Sequence, residues 1–364
     1  MRLISGLGGG LLLLLTIASI LQTLVVPRGL YSALVHSTWR GLRMLLRLVA
    51  APFEGYRAED RAQAWLAPLM LMSMLACWLG GMLVAYGLLM HALSGLPWAA
   101  SFREAGSSLF TLGFASSNRL QLSWLDFFAA ASGPVVIALQ IAYLPTLYSA
   151  YNRREVEVTL LASRAGEPAW GPELLARQWL VDTETALPEL YRAWERLAAD
   201  IGESHSNYPT LLSFRSPKPY RSWIVGLIAV MDAAAMHLAV SPGSAPPDTR
   251  LVLRAGFTAM RDIASSLHME FDEDPEPETP IRLSFQEFDA AVTMVAVSGF
   301  PVERPAALAW PDFQGWRVNY EAIAYELGRR ADAVPALWTG PRDFPSTPIP
   351  PRRPTDRRPA ARSR

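Results

Sequence analysis

Apolar residues gather into three long runs within the first 151 residues, and beyond that point they thin to a helical spacing. Leu3 to Val26 is 24 residues without a charge, enough for a helix to cross a hydrocarbon core about 30 Å thick. Trp65 to Leu93 is the second run, polar only near its end at His91. Trp124 to Tyr148 is the third, with Asp126 near its start and Gln140 inside. Each reads as a transmembrane helix. A cleaved signal peptide is the alternative for the first. Arg2 alone as a positive region, a run longer than an ordinary apolar signal core and no clear small-x-small site favour a retained helix.

Between the first two runs, Tyr31 to Phe53 sets Trp39, Leu42, Leu45, Leu46, Val49 and Ala50 against Arg40, Arg43 and Arg47. The pattern predicts an amphipathic helix on the membrane surface with its arginines among headgroups. A voltage sensor would need spanning partners with countercharges, and the one preceding run has no acid. Between the second and third runs, Ser94-Gly95-Leu96-Pro97 ends one helix and starts another. Trp98 to Phe110 then predicts a short helix that dips into the membrane and returns, which requires surrounding protein.

After residue 151 the periodicity predicts helices near 172–200, 221–240, 250–269, 284–297 and 317–330, with Ser284 and Glu287 as a capping box. No strand alternation is present, so the fold class is all-α. The stretch 223–240 is apolar enough to resemble a fourth span. Asp232 at its centre would cost roughly 3 kcal/mol in lipid, and His237 adds to that, so a buried soluble helix is expected. The organisation is then an N-terminal transmembrane helix (1–26), an amphipathic helix and linker (27–64), a module of two spans and a loop (65–151), a helical domain (152–340) and a disordered Pro/Arg-rich tail (341–364).

Composition agrees with a membrane part followed by a soluble part: 51% of residues are hydrophobic. Charges balance at 33 basic and 33 acidic residues, which gives no argument for nucleic acid. All basic residues except Lys218 are arginines. The single cysteine, Cys77, excludes a disulfide framework and a cysteine metal site. Arg28, Arg40, Arg43, Arg47, Arg57 and Arg61 lie between runs one and two, and Arg153, Arg154, Arg164 and Arg177 follow run three. Only Arg103 and Arg119 lie between runs two and three. The positive-inside rule puts the N-terminus and the 94–123 loop outside and the C-terminal part in the cytoplasm.

Within that loop, Ser107 to Ser116 reads SSLFTLGFAS. These residues and their setting resemble the pore helix and selectivity filter of the two-transmembrane pore-loop potassium channel family, with a degenerate filter. A proline-started short helix, Thr-x-Gly-aromatic, a span with Gly133 twenty residues after Gly113, and Arg153-Arg154-Glu155 at the exit carry the resemblance from Trp65 to Glu155. Ala115 and Ser116 depart from it, standing where the family has a second glycine and an acid.

The resemblance implies a homotetramer in the cell membrane that conducts monovalent cations, potassium above all, passively. The path would run from Thr111 to Ala115, with the carbonyls of Thr111, Leu112, Gly113 and Phe114 turned inward and the Thr111 hydroxyl at its inner end. Gly113 supplies the positive φ such a filter needs, and Ala115 is expected to be strained there. Gly133 and Pro134 are the expected hinge or gate, with Pro145 a second kink. No cofactor besides ions in the pore is implied, and no enzymatic activity. The second reading is a non-conducting pore-fold anchor whose cytoplasmic domain binds a partner.

The remaining candidates are weaker. Asp232 and His237, with His205, Tyr208 and Arg215, are the only candidates for an internal polar site. A membrane-bound enzyme built on them lacks any joining motif, and pairing of Asp232 with Arg221 or Arg254 is the expected alternative. The acidic run from Asp272 to Glu278 fails as an EF-hand loop, because Pro277 and Leu283 occupy the glycine and glutamate positions.

Overall fold

The computed structural model describes residues 1–26, 33–52, 55–116, 120–181, 183–343 and 346–352. Arg28, Arg119 and residues 353–364 of the expected tail lie outside the described residues. Thirteen α-helices and two 3-10 turns organise the described chain, and among the described residues there is no strand, only two isolated bridges. Four helices are long and apolar enough to cross a membrane: α1 (Arg2–Leu24), α4 (Leu66–Ser94), α6 (Leu120–Ala165) and α9 (Trp223–Val240). The chain divides into two compact units. One is Met1–Glu54, Arg61–Ser149 and Asn207–Phe214; the other is Gly55–Asp60, Ala150–Ser206 and Arg215–Arg364.

In the first unit α1 runs antiparallel along α4 with its polar and small residues turned inward. Ser5, Gly9, Thr16 and Ser19 are buried, while Leu3, Leu7, Leu11, Leu14 and Leu15 are exposed. That is the reverse of a water-soluble amphipathic helix and is the arrangement that packs helices in lipid, where small residues allow close approach. A Cβ on Gly9 would lie 2.9 Å from the Ala85 carbonyl oxygen, and one on Gly81 would lie 2.9 Å from Thr16 Oγ1. Trp78 Nε1 donates to Ser19 Oγ at 3.0 Å. The face of α4 bearing Met70, Met74, Trp78, Met82, Tyr86 and Met90 forms the core, closed by Ala105 and Leu109 of α5 (Trp98–Leu109) and by Leu125, Ala129 and Val136 of α6.

Helix α2 (Ala33–Ala50) is turned differently from the sequence expectation. Val35, Leu46 and Ala50 face the unit together with Arg43, which is 8% exposed. The Arg43 guanidinium lies 5.0 Å from the centre of the Trp39 ring, which lets its stem pack while its charge meets a π face. Met44, Leu45, Leu48 and Val49 are exposed instead.

The second unit is built around α9, which is 94% buried inside it. Helices α7 (Gly171–Leu180), α10 (Asp248–Ser266), α12 (Ala306–Arg317) and α13 (Glu321–Arg330) pack on α9. Gly226 accepts the Trp194 ring of α8 (Leu187–Asn207) so closely that a Cβ would lie 2.7 Å from it. The expected helix over 172–200 is two helices, because the chain turns after Leu180 and Pro188, lacking an N–H, suits the first turn of α8. The expected helix from Arg317 begins at Glu321, because Arg317 ends α12 and buries its side chain. Ser284 caps α11 (Phe285–Val297) in the expected reciprocal bond with Glu287.

The expected disordered tail, exposed or half-buried where it is described, makes defined hydrogen bonds there. Arg342 donates to the carbonyls of Ala333, Val334, Thr339, Gly340 and Pro341, and the Arg352 N–H donates to the Glu167 carbonyl at 3.0 Å. These bonds give the described part of the tail a fixed course despite its Pro/Arg composition, since they satisfy backbone carbonyls of 333–341.

The partner of Asp232 is Arg317, not Arg221 or Arg254. Arg221 bonds Glu167 at 2.6 Å. Arg317 is fully buried and donates to Asp232, to Glu321 at 2.9 Å, to the Tyr325 hydroxyl at 3.1 Å and to the Trp338 carbonyl at 2.6 Å. Tyr320 adds its hydroxyl to Asp232 at 2.7 Å. Burial alone would lower the Arg317 pKa, but the facing Asp232, tyrosines and Glu321 hold it well above its ordinary value. Arg317→Met would strand two buried carboxylates. The expected loss is about 3–5 kcal/mol from the second unit, read as an earlier urea-unfolding transition of that unit in full-length protein.

Candidate functional site

The candidate site is the turn that follows α5. Pro97 stands at the start of α5 with extended ψ, and His91 stacks on Trp98 at 3.7 Å between ring centres. A Cβ on Gly87 of α4 would meet the Phe102 ring at 2.8 Å, so α5 lies close along α4. Its far end is fixed by α6: a Cβ on Gly133 would fall 2.1 Å from the Leu109 carbonyl oxygen. No residue larger than glycine fits there unless α5 moves. Helix α6 passes through Gly133, Pro134 and Pro145 without interruption.

Past Leu109 the backbone reverses, and one residue gathers most of its amides. The N–H of Thr111 donates to the Ser108 carbonyl at 2.9 Å and that of Leu112 to the Ser107 carbonyl at 2.8 Å. This is the reciprocal pair of a Schellman helix end, with Thr111 in the left-handed region at φ 55°. Gly113 (φ 71°) follows, its N–H 3.4 Å from the same Ser107 carbonyl, and the Ala115 N–H donates to Ser107 Oγ at 3.0 Å. Ser107 itself is buried.

The strained non-glycine residue is therefore Thr111 and not Ala115, which lies outside the left-handed region. Gly113 has open space around it, so its glycine answers a backbone requirement rather than a steric one.

The consequence is chemical. Amides of Thr111, Leu112, Gly113 and Ala115 are used on the α5 side, and among the described residues no hydrogen bond is donated to the carbonyls of Thr111 to Ala115. The side chains of Thr111, Leu112 and Phe114 are exposed. A run of free carbonyl oxygens on an exposed turn is a ligand set for a hard monovalent cation, provided other copies complete it. Asp126 of α6 accepts from Ser108 Oγ at 2.6 Å, and Arg103 lies over the Phe114 ring at 5.4 Å. Gln140 is buried within the first unit. Ser107 and Ser108 were not foreseen as site residues; their place at the end of a short helix was the available signal.

The other sequence candidates do not come together. Tyr208 belongs to the first unit and packs edge-on against Tyr143. In the second unit, Arg215 binds Asp60 at 2.6 Å and the carbonyls of Ala331 and Asp332 at 2.9 Å. His237 meets Ser244 at 3.1 Å, within a chain of bonds that runs through Ser241 to Glu303. His205 lies 2.9 Å from the buried Arg154 guanidinium and 4.7 Å from the Trp223 ring. The acidic run near Asp272 holds its own turn by an Asp274 N–H bond to Asp272. No group of three or more metal-ligating side chains occurs among the described residues.

Burial, and then the neighbouring Arg154 charge, push the His205 pKa well below 6.5. An imidazole kept neutral when folded supports the fold fully above the unfolded value of about 6.5 and loses that support as the pH falls below it. The thermal midpoint of the second unit should therefore drop as the pH is lowered from 7 to 5, and His205→Gln should flatten that slope. Ser107→Ala tests the turn. Amide exchange at Ala115 should quicken roughly five- to tenfold, the equivalent of one lost bond, while exchange at Leu112, held by a carbonyl, stays unchanged.

No protein-family model, curated protein or solved structure matches this chain.

Proposed function

We propose that the first unit is the pore module of a channel-like membrane protein that passes monovalent cations, potassium foremost, through an assembly of four copies. In this reading α1, α4 and α6 cross the membrane, α5 and its turn re-enter it from outside, and the N-terminus lies outside. The second unit, with α9 as its internal core helix, lies in the cytoplasm and regulates the pore. The observation that carries the reading is the turn 111–115, where the amides of Thr111, Leu112, Gly113 and Ala115 are bound to the end of α5 while, among the described residues, no hydrogen bond is donated to its carbonyls. A cation shedding water needs such oxygens, and a membrane tolerates irregular backbone only where protein or water surrounds it.

Gly133 serves this reading by letting α6 approach the end of α5. A hinge at Gly133 and Pro134 would then move the helix that also braces the turn. Ala115 and Ser116 favour a second reading, in which the pore fold is kept as a non-conducting anchor and the second unit binds a partner.

Rubidium uptake into liposomes carrying the purified protein separates the two. Conduction predicts uptake by the wild type that Gly113→Asp abolishes, since the variant puts a Cβ and a carboxylate on a residue with φ near 71°, in among the turn's carbonyls. Absence of uptake in the wild type, with none gained on Ala115→Gly, would leave the anchor reading.

A further inference from the structure

Resting on the conduction reading, we infer that Asp126 is the fixed negative charge of the turn, and that Ser108 positions it. The turn has no acid of its own: Phe110 to Ser116 reads Phe-Thr-Leu-Gly-Phe-Ala-Ser. A cation lies against it: the Arg103 guanidinium, over the Phe114 ring. A path for cations beside a fixed positive charge requires a compensating anion close by, because a charged, partly desolvated site sets the local concentration of its ions.

Asp126 is built into that position. Ser107 and Ser108 are neighbours in the last turn of α5 and divide the work: Ser107 turns to the loop amides, and Ser108 donates its hydroxyl to Asp126 Oδ1 at 2.6 Å. That length belongs to a hydroxyl bonded to a carboxylate. The Ser108 carbonyl in turn receives the Thr111 amide, so one residue links the carboxylate to the first residue of the turn. The same two helices meet at Leu109 and Gly133, which fixes the approach of α6 from the other side. Asp126 is half-buried, and a charge partly withdrawn from water is screened less than an exposed one, so it reaches further. Glu104, one turn back on the same face of α5, is the other nearby acid; it is enclosed at 3% exposure and already engaged.

The test uses full-length protein in liposomes and follows rubidium uptake by wild type, Asp126→Asn, Ser108→Ala and Glu104→Gln, each with its assembled size and thermal midpoint measured. Asparagine still accepts from Ser108 but carries no charge. Asp126→Asn should keep assembly and thermal midpoint and slow uptake roughly tenfold, the effect of removing one nearby charge in a partly desolvated site. Ser108→Ala should slow it roughly two- to threefold, because the charge stays but its position relaxes.

Raising ionic strength with an impermeant organic cation should slow the wild type and leave Asp126→Asn unaffected, a response that a purely structural brace would not give. Wild-type uptake retained in Asp126→Asn would overturn the inference, as would a loss confined to Glu104→Gln. An equal collapse of assembly in the Asn and Ala variants would overturn it too. No uptake by the wild type would instead remove the conduction reading, and the inference with it.

Discussion

The first unit depends on how the chain leaves α5. A backbone that abandons a helix must find partners for the amides it exposes, and Ser107 provides them through two atoms. Its carbonyl receives Leu112 and approaches Gly113, and its hydroxyl receives Ala115. The turn is thereby held from one side only, with its carbonyl oxygens directed to no partner among the described residues. Everything proposed about cations rests on that asymmetry. It costs a left-handed threonine at 111, which a Schellman end compensates with two hydrogen bonds.

The same economy governs the second unit with the polarity reversed. There the irregular segments leave carbonyls behind, and single arginines collect them: Arg342 five, Arg215 two, Arg317 the one of Trp338. A guanidinium offers five donors in a fixed plane, which suits several oxygens at once. Arg215 also binds Asp60 and Tyr56, in the segment that immediately precedes α4. Because α6 continues through residue 165, the second unit includes its C-terminal end, together with Gly55–Asp60 upstream of α4.

Much of the architecture was legible in the sequence. Long apolar runs predict α1 and α4 within a residue or two at either end, and Pro97 predicts the start of α5. Helix α6 extends past Tyr148 because hydropathy falls where helix does not. The site was legible as a pattern and misread in part as geometry. Gly113 has the positive φ expected of it, yet the second left-handed residue is Thr111, since a Schellman end decides it rather than filter spacing. Gly133 was visible through its distance from Gly113, while its contact with the Leu109 carbonyl was not. Likewise Asp232 announced a buried partner, but Arg317 is 85 residues away, and local periodicity has no access to such pairings. Arg43 stands four residues from Trp39 on the same helix, so that contact was within reach of a helical wheel, whereas the burial of Arg43 in the unit was not.

The central claim is that the free carbonyls of Thr111 to Phe114 hold a dehydrated cation between copies of the chain. Crystals of the assembled protein grown with thallium, a potassium mimic with strong anomalous scattering, test it most directly. The account predicts anomalous peaks on the symmetry axis, coordinated by those carbonyls from four subunits. Thallium absent from that axis, or a chain that crystallises with the turn facing lipid or water alone, would contradict it.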